Sequence, residues 1–301
     1  EKPIIFTDAN DQIVYANGTT SPNRSVTDKG LWGSVIILGN GIVGAASGEA
    51  NIEGVVSGYE FTKYGGSNNA ENSGTLKYVS IRHTGTAVSP GNELQGLTMG
   101  GVGSGTVIEN IELIGSEDDG IEIFGGAVNV TNIVIANFDD DGIDLDQAYD
   151  GTISNAVVIM APGSDTVFEI DGTEEPNNAI VGEYTIKNVT AYGRSDAAKF
   201  DTFGNWKSDA TGFNENVLFV DFPASTTLGG IDSDTYDGAG TAPIEGKLNF
   251  KDFIVVTSDS KATVVGGQVD EASATWISVS TTRPSSKGAD ESVFGWTQFF
   301  N

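Results

Sequence analysis

The chain has 301 residues, no cysteine, 38% apolar residues and a formal net charge of −27, from 42 acidic against 15 basic side chains. This charge would repel a phosphate backbone, so it argues against nucleic acid and anionic membranes as partners and favours divalent cations. Forty glycines beside eight prolines indicate many turns, and no apolar run approaches the roughly 18 residues that a membrane helix needs.

Short β-rich segments recur along the chain, from about Ile52 and Leu76 to about Phe250. Four of them carry an Asn after a β-branched and a polar residue: Asn110, Asn132, Asn155 and Asn188. The spacings between these Asn residues are 22, 23 and 33 residues, and Asn216 is a weaker fifth member. A repeat of this length is typical of a solenoid of strands, and the recurrent Asn predicts a ladder of side-chain amides between coils. The alternative is that Asn is simply a common turn residue.

A second pattern alternates apolar and charged residues, and it occurs at residues 121–124, 143–146, 168–171, 198–201 and 230–234. Side chains in a strand alternate between two faces, so the apolar residues should point into the coil and the charged ones outward. Stacking the strands in parallel predicts one outward file of Thr98, Glu122, Asp144, Glu169, Lys199 and Asp232. It predicts a second file of Gly100, Phe124, Asp146, Asp171, Asp201 and Asp234.

These repeats predict an all-β chain folded as a right-handed parallel β-helix, with residues 1–301 forming one domain and loops inserted on one side. The longer intervals place insertions at residues 86–93, 173–181, and 221–228 or 237–245. Because a strand-like segment starts almost at residue 3, we expect further N-terminal coils to precede residue 1.

Several segments resemble a family of secreted right-handed parallel β-helix proteins that is common in Bacteroidetes and lies within the pectate-lyase-like superfamily. The segments that carry the resemblance are EKPIIFT (1–7), GLWGSVIILG (30–39), GTLKYVSIR (74–82), GLTMGGVG (96–103), DDGIEIFGG (118–126) and GWT (295–297). The resemblance implies the β-helix fold and secretion, often with a lipid anchor or sorting domain outside this segment. It implies no catalytic residues, because the family is largely uncharacterised biochemically.

The acidic strands predict a cation site. Two carboxylates one rung apart repel by roughly 3 to 4 kcal/mol at an effective dielectric constant of 20, so we expect bound cation, Lys199 or raised pKa values to neutralise them. Oxygen ligands without cysteine favour Ca²⁺ over Zn²⁺. The predicted ligands, which include acids of the preceding turns, are Asp118, Asp119, Glu122, Asp139, Asp140, Asp141, Asp144 and Asp146. The alternative is a merely hydrated acidic face.

Two function classes stay open. The first is a noncatalytic module, secreted or on the outer cell surface, that binds extracellular polysaccharide or a cell-surface protein in an adhesive or structural role. Here Tyr149, Trp206 and Tyr236 are predicted to stack on sugar rings, and an exposed end coil could pair end to end with another copy.

The second class is a polysaccharide lyase or glycoside hydrolase. A lyase needs a cation and a base, and a hydrolase needs two carboxyl groups. The candidate catalytic residues are Asp144, Glu169, Asp171, Lys199 and Asp201. We favour the noncatalytic class, because no combination of nucleophile and base stands out in the sequence.

Overall fold

The computed structural model describes residues 2–14, 19–55, 59–88, 94–174, 182–194, 202–231 and 234–300. Within these ranges the chain forms the following strands: β1 Ile4–Phe6, β2 Val35–Leu38, β3 Ala50–Asn51, β4 Lys63–Tyr64, β5 Thr75–Thr84, β6 Leu97–Gly100, β7 Val107–Ser116, β8 Ile121–Phe124, β9 Asn129–Phe138, β10 Ile143–Asp146, β11 Thr152–Ile159, β12 Phe168–Asp171, β13 Tyr184–Tyr192, β14 Gly204–Lys207, β15 Gly212–Val220, β16 Tyr236–Ala239, β17 Leu248–Val256 and β18 Ile277–Ser280. The helical part consists of a short α-helix, α1 Lys261–Val265, and 3₁₀ turns at Glu60–Thr62 and Glu291–Phe294.

Two parallel sheets make up most of the fold. Sheet 1 has the strand order β1-β5-β7-β9-β11-β13-β15-β17-β16, with β18 beside β17, and sheet 2 has the order β14-β12-β10-β8-β6-β2. From β5 to β15, successive strands alternate between sheet 1 and sheet 2, so each turn of the chain adds one strand to each sheet. This arrangement confirms the predicted right-handed parallel β-helix with almost no α-helix. None of the helices found in the described residues is long and apolar enough to cross a membrane.

Each long strand of sheet 1 has a residue in the left-handed conformation at its fourth or fifth position. From β7 to β15 that residue is the repeated Asn, with φ between 56° and 59°, and Asn tolerates this conformation better than most residues. The ladder between coils is also present: Asn132 Nδ2 donates to Asn110 Oδ1 at 3.1 Å, and Asn155 Nδ2 donates to Asn132 Oδ1 at 2.8 Å. The predicted amide ladder is therefore confirmed for these coils.

The core fills the inside of the coils. Ile143 and Leu145 of β10 are at most 1% exposed, and they stack on Ile121 and Ile123 of β8 in register. Toward the C-terminal end the filling becomes aromatic, because the Trp206 ring lies 4.9 Å from the Phe250 ring between centroids.

Two segments outside the repeats pack on the coils. The antiparallel pair β3–β4 covers part of sheet 2 through Tyr64. The C-terminal segment runs back along sheet 1, where the N–H of Asp290 donates to Asn155 Oδ1 at 2.7 Å.

The same C-terminal segment seals a buried ion pair on sheet 1. Arg82 Nη2 lies 3.2 Å from Glu112 Oε2, and both side chains are at most 1% exposed. The N–H of Gln298 donates to the other Glu112 oxygen at 2.5 Å, and Arg82 Nη1 donates to the carbonyl of Thr19 at 2.6 Å. Segments near both ends of the chain therefore meet at one charge pair.

Two of the five predicted acidic strands are misplaced. The strand that follows β12 in sheet 2 is β14, Gly204–Lys207, and residues 195–201 with Lys199 and Asp201 lie outside the described residues. The predicted alignment stacks Ile231 above Ile143. In the structure Ile231 forms a bridge with Trp206, which stacks in register above Ile170 and Leu145, so Ile231 is displaced by two residues from its predicted position. A pattern that repeats every two residues fits equally well after a register shift of two residues, and this explains the wrong position of Ile231.

Only part of the predicted insertions lies within the described residues. Residues 89–93 and 175–181, which lie in two of them, fall outside the described residues. β1 lies at the edge of sheet 1, and Ile4 and Phe6 are 58% and 39% exposed. End-to-end pairing through this edge stays a prediction.

Candidate metal centre

The outer face of sheet 2 carries the predicted file of carboxylates over three rungs. Glu122 of β8 pairs in register with Asp144 of β10, which pairs with Glu169 of β12. The file has neutral residues on either side, because Thr98 of β6 precedes Glu122 and Asn205 of β14 follows Glu169. The alternation of apolar and acidic residues places these side chains opposite the core-facing Ile143 and Leu145.

The turns before these strands bring in two more carboxylates. Asp119 Oδ1 accepts the backbone N–H of Asp141 at 2.9 Å, and Asp141 Oδ1 accepts the backbone N–H of Thr166 at 2.7 Å. Both side chains are buried, with exposed fractions of 6% and 1%. They therefore fix the turns between coils and at the same time lie beside the carboxylate file.

Asp119, Glu122 and Asp144 form the centre of the site, which we call the carboxylate cluster. Each offers one oxygen, and these oxygens all lie within 4.8 Å of one another. Glu122 is only 5% exposed. Glu122 Oε2 and Asp144 Oδ1 are buried and have no hydrogen-bond partner among the described residues. Two carboxylate oxygens of the cluster residues are therefore buried with their lone pairs unused.

The electrostatics of the cluster disfavour three negative charges. Burial raises the pKa of Asp119, Glu122 and Asp144 well above their usual values, and the charges of neighbouring carboxylates raise them further. The strongest charge effects on Glu122 and Asp144 all come from other carboxylates. Burial and mutual repulsion therefore favour the protonated form of these carboxyl groups.

Burial also raises the pKa values of two neighbouring carboxyl groups, Asp146 and Asp140. Burial raises the pKa of Asp146 to about 7, although the hydrogen bond that it accepts from the N–H of Gln147 works against this change. Burial also raises the pKa of Asp140, whose carboxylate falls in two further groups, one with Asp118 and Asp119 and one with Asp141 and Asp165.

At the other end of the file the charges are compensated. Lys207 Nζ donates to Glu169 and lies 3.4 Å from Asp171 Oδ2. A hydrogen bond from Asp141 lowers the pKa of Glu169, and burial together with this hydrogen bond raises the pKa of Asp141. Burial by itself would lower the pKa of Lys207, but its hydrogen bond to Glu169 and the charge of Asp171 raise it overall. Lys207 therefore stays protonated and neutralises this end of the face.

A polar cover closes the face from outside. Gln95 Nε2 donates to Glu53 Oε1 at 2.8 Å, and Gln95 Oε1 accepts the hydroxyl of Thr98 at 2.8 Å. The hydroxyl of Tyr64 on β4 donates to Gln147 Oε1 at 3.0 Å. Gly100 permits this contact, because a Cβ at this position would lie 2.5 Å from the Tyr64 ring.

The sequence did not identify Lys207, Gln95, Glu53 or Tyr64 as part of the site. Gln95, Glu53 and Tyr64 belong to segments that do not follow the repeat. Lys207 was missed because residues 198–201 match the alternation of apolar and charged residues better than β14, the strand that ends at Lys207.

The other predicted site residues are distributed as follows. Asp139 forms an ion pair with Lys29, and neither Asp139 nor Asp146 belongs to a group of three carboxylates within 4.8 Å among the described residues. Lys199, Asp201 and the file residue Asp232 lie outside the described residues.

Two of the three aromatic residues predicted to stack on sugars, Trp206 and Tyr149, need correction, and the role of Tyr236 stays a prediction. Trp206 is 0% exposed, because the register of β14 turns it into the core. Tyr149 is 2% exposed, and its hydroxyl donates to the carbonyl of Val128 at 2.5 Å. Neither ring presents a free face for stacking. Tyr236 is partly exposed, and its hydroxyl accepts the Nε1–H of Trp276 at 3.2 Å.

An acidic cavity of about 440 Å³ lies next to the compensated end of the face. Its lining includes Asp171, Glu174, Asp209, Asp234 and Tyr149. Gln147 Nε2 donates to Glu174 Oε1 at 2.7 Å, which connects this cavity to the cover of the carboxylate cluster.

The donor set of the cluster suits a hard divalent cation. Ca²⁺ binds six to eight oxygens at about 2.3 to 2.6 Å and accepts carboxylates readily. Oxygens from Asp119, Glu122 and Asp144 lie close enough together to share one ion, and the unpartnered oxygens of Glu122 and Asp144 are the natural first ligands. The residues present therefore fit a calcium ion.

Comparison with known protein families gives one match. The family model described as a pectate-lyase like beta helix domain matches residues 4–300. No curated protein and no solved structure shows a significant match to the chain.

Proposed function

The chain belongs to the family of pectate-lyase-like β-helix domains, and on this premise we propose that it is a noncatalytic, calcium-binding module that binds extracellular polysaccharide. In this proposal the protein works outside the cell, either secreted or on the cell surface. The ion lies among Asp119, Glu122 and Asp144, and it joins the two neighbouring coils that contain β8 and β10.

The observation that carries the calcium site is the pair of buried oxygens without a partner, Glu122 Oε2 and Asp144 Oδ1. An unpaired buried polar atom destabilises a fold by about 1–3 kcal/mol, and by more when it is charged. A cation in contact with both oxygens removes this penalty, and it also removes the repulsion that raises the pKa values of the cluster.

The state of the candidate catalytic residues favours a noncatalytic role. A lyase base needs a lowered pKa so that it is free to take a proton at neutral pH, whereas the pKa of Lys207 is raised. Glu169 and Asp171 are both paired with Lys207. Asp144 has its Oδ1 buried within the cluster, so it is a better metal ligand than a general acid for a large substrate.

One observation favours the alternative of a glycoside hydrolase. Asp141 and Glu169 share a hydrogen bond, and their pKa values are shifted in opposite directions. Such a pair is typical of acid and base partners in catalysis. Asp141 is only 1% exposed, however, so it has no route to a glycosidic oxygen in this conformation.

Calcium titration followed by thermal unfolding tests the proposal. We expect calcium to raise the melting temperature of the chelator-treated protein, and we expect Asp119→Asn with Asp144→Asn to abolish this rise. Exposed Glu271→Gln serves as a control for charge and should keep it. Parallel incubation with pectate, alginate and neutral glycans should release neither unsaturated uronates nor reducing ends. An unchanged melt in excess calcium would remove the metal site, and released product would replace the binding role with catalysis.

A further inference from the structure

An exposed pair of aromatic rings lies on the segment that joins β3 to β4. Tyr59 and Phe61 are 54% and 76% exposed, and their rings stack with centroids 5.1 Å apart and an angle of 19° between the planes. Most aromatic side chains of this size are buried in a folded protein. Two neighbouring ones exposed together indicate a contact surface rather than a scattered surface residue.

Hydrogen bonds fix the backbone of the turn that carries the rings. The hydroxyl of Thr62, which is 2% exposed, lies 2.7 Å from the carbonyl oxygen of Tyr59 and 2.9 Å from Asn51 Oδ1, within hydrogen-bond distance of both acceptors. The N–H of Ile52 donates to the carbonyl of Thr62 at 2.8 Å. The backbone beneath the pair is therefore preorganised, which lowers the entropy lost when a ligand binds.

The size of the pair decides between a protein and a sugar as the occupant. At about 250 Å² for a whole aromatic side chain, the exposed fractions leave roughly 300 Å² of surface on Tyr59 and Phe61. A stable protein interface needs about 800 Å² on each partner. The adjoining Glu60 and Lys63 are charged and pair with each other at 2.9 Å, so they do not extend the apolar area.

The net charge of the chain argues against two further ligands, a second copy of the chain and an anionic polysaccharide. A second copy of the chain carries the same −27, so two copies repel each other, and an anionic polysaccharide is repelled in the same way. One or two uncharged pyranose rings match both the area and the charge, because the apolar C–H face of a pyranose covers an aromatic ring and its hydroxyls reach a polar rim.

We propose that Tyr59 and Phe61 form a stacking platform for the pyranose rings of a neutral polysaccharide. This assignment rests on the polysaccharide-binding role proposed above, and it names the residues and the substrate class for that role. The β3–β4 pair also carries Tyr64, whose hydroxyl donates to Gln147 on the cover of the carboxylate cluster, so the segment that carries the platform contacts this cover.

Native affinity electrophoresis tests the platform. Wild-type protein is run through gels that contain xylan, galactomannan, a β-1,3-glucan, hydroxyethylcellulose or polygalacturonate. We expect at least one neutral polymer to retard the protein and polygalacturonate not to. Phe61→Ala and Tyr59→Ala should each weaken binding about 3- to 10-fold, as the energy of one aromatic stacking contact predicts. Phe61→Trp should restore binding, and Ile244→Ala, at another exposed apolar side chain, should leave it unchanged.

The outcomes separate the two proposals. Retardation of the wild type that both alanine variants retain would overturn the platform and leave polysaccharide binding elsewhere on the chain. No retardation by any polymer would overturn both the platform and the polysaccharide role, while the calcium titration would still report on the carboxylate cluster. A wild-type dimer in light scattering that Phe61→Ala converts to monomer, without any glycan effect, would assign the rings to a second copy and overturn the platform. Unchanged melting temperatures of the variants exclude unfolding as the cause.

Discussion

Replacement of Glu122 by Gln should change stability in opposite directions with and without calcium. In chelator the variant should be more stable than the wild type, because the substitution removes one carboxylate from the cluster of three. It also places an amide N–H₂ donor near Asp144 Oδ1, which has no hydrogen-bond partner among the described residues. In calcium the variant should gain less than the wild type, because a neutral amide is a weaker ligand than a carboxylate.

The geometry sets the size of both effects. Two charges at the 4.8 Å limit of the cluster repel by about 3.5 kcal/mol at an effective dielectric constant of 20. The raised pKa values mean that part of this repulsion is already relieved by bound protons, so we expect a gain of about 1–3 kcal/mol in chelator. Calcium at 100 times its dissociation constant stabilises the wild type by about 2.7 kcal/mol. For 301 residues this corresponds to a rise of about 4 °C in melting temperature.

Urea unfolding and thermal scans at pH 7.5, each in EDTA and in millimolar calcium, measure the two effects on the same preparations. Glu271→Gln removes one charge from an exposed position and corrects for the change in net charge. A Glu122→Gln variant that is less stable than the wild type in EDTA would show that the ionised carboxylate stabilises the apo fold. A full calcium response in that variant would show that Glu122 is not a ligand. Either result would refute the reasoning about the cluster.

Three further predictions concern the fold and its charges. Asn132→Ala removes two ladder hydrogen bonds and puts Ala at a φ of 59°, so urea unfolding should show a loss of about 3 kcal/mol in stability. Asn132→Gly should lose less stability, because Gly tolerates this φ. Equal losses in the two variants would contradict the argument from the backbone conformation. In EDTA, stability should fall as pH rises from about 4 to about 7, because folded Asp146 keeps its proton up to a pKa of about 7 while the unfolded chain releases it near 3.8. The contribution is at most about 4 kcal/mol, present in full below pH 4, and a stability that rises through this window would contradict it. Glu112→Gln should destabilise the fold by about 3–5 kcal/mol, because it breaks the buried ion pair with Arg82. Glu109→Gln, which breaks the exposed ion pair with Lys77, should change stability by less than about 1 kcal/mol. Similar losses in the two variants would show that burial of the ion pair does not decide the effect.

The repeating part of the fold could be predicted because the sequence repeats the physical requirement of each coil. Asn110, Asn132 and Asn155 recur where the backbone needs the left-handed conformation, and their amides bond each other from coil to coil. Strand β14 could not be found in this way. Residues 198–201 match the alternation of apolar and charged residues better than Gly204–Lys207 does, and only the packing of Trp206 inside the coil selects the true strand.

The candidate site was predictable in its register but not in its burial. Alternation along β8, β10 and β12 places Glu122, Asp144 and Glu169 side by side without any knowledge of the loops. Whether that face is hydrated or enclosed depends on Gln95 and the β3–β4 pair, and these lie in segments with no counterpart in other coils. The same limit explains the aromatic residues, because a Trp in an alternating strand points inward or outward according to a register that the pattern does not fix.

The distribution of charge along the file gives a reason for a bound ion that does not depend on the family. The rungs at the two ends of the file, Thr98 and Asn205, are neutral, so the fold accepts neutral side chains at this column. Carboxylates occupy the rungs between them, where the cover makes ionisation most unfavourable. Lys207 neutralises the charge at Glu169, but the strongest charge effects on Glu122 and Asp144 come from other carboxylates. A face that needed only to be polar could use Thr or Asn at every rung, whereas a face that holds a cation needs its carboxylates close together, as they are here.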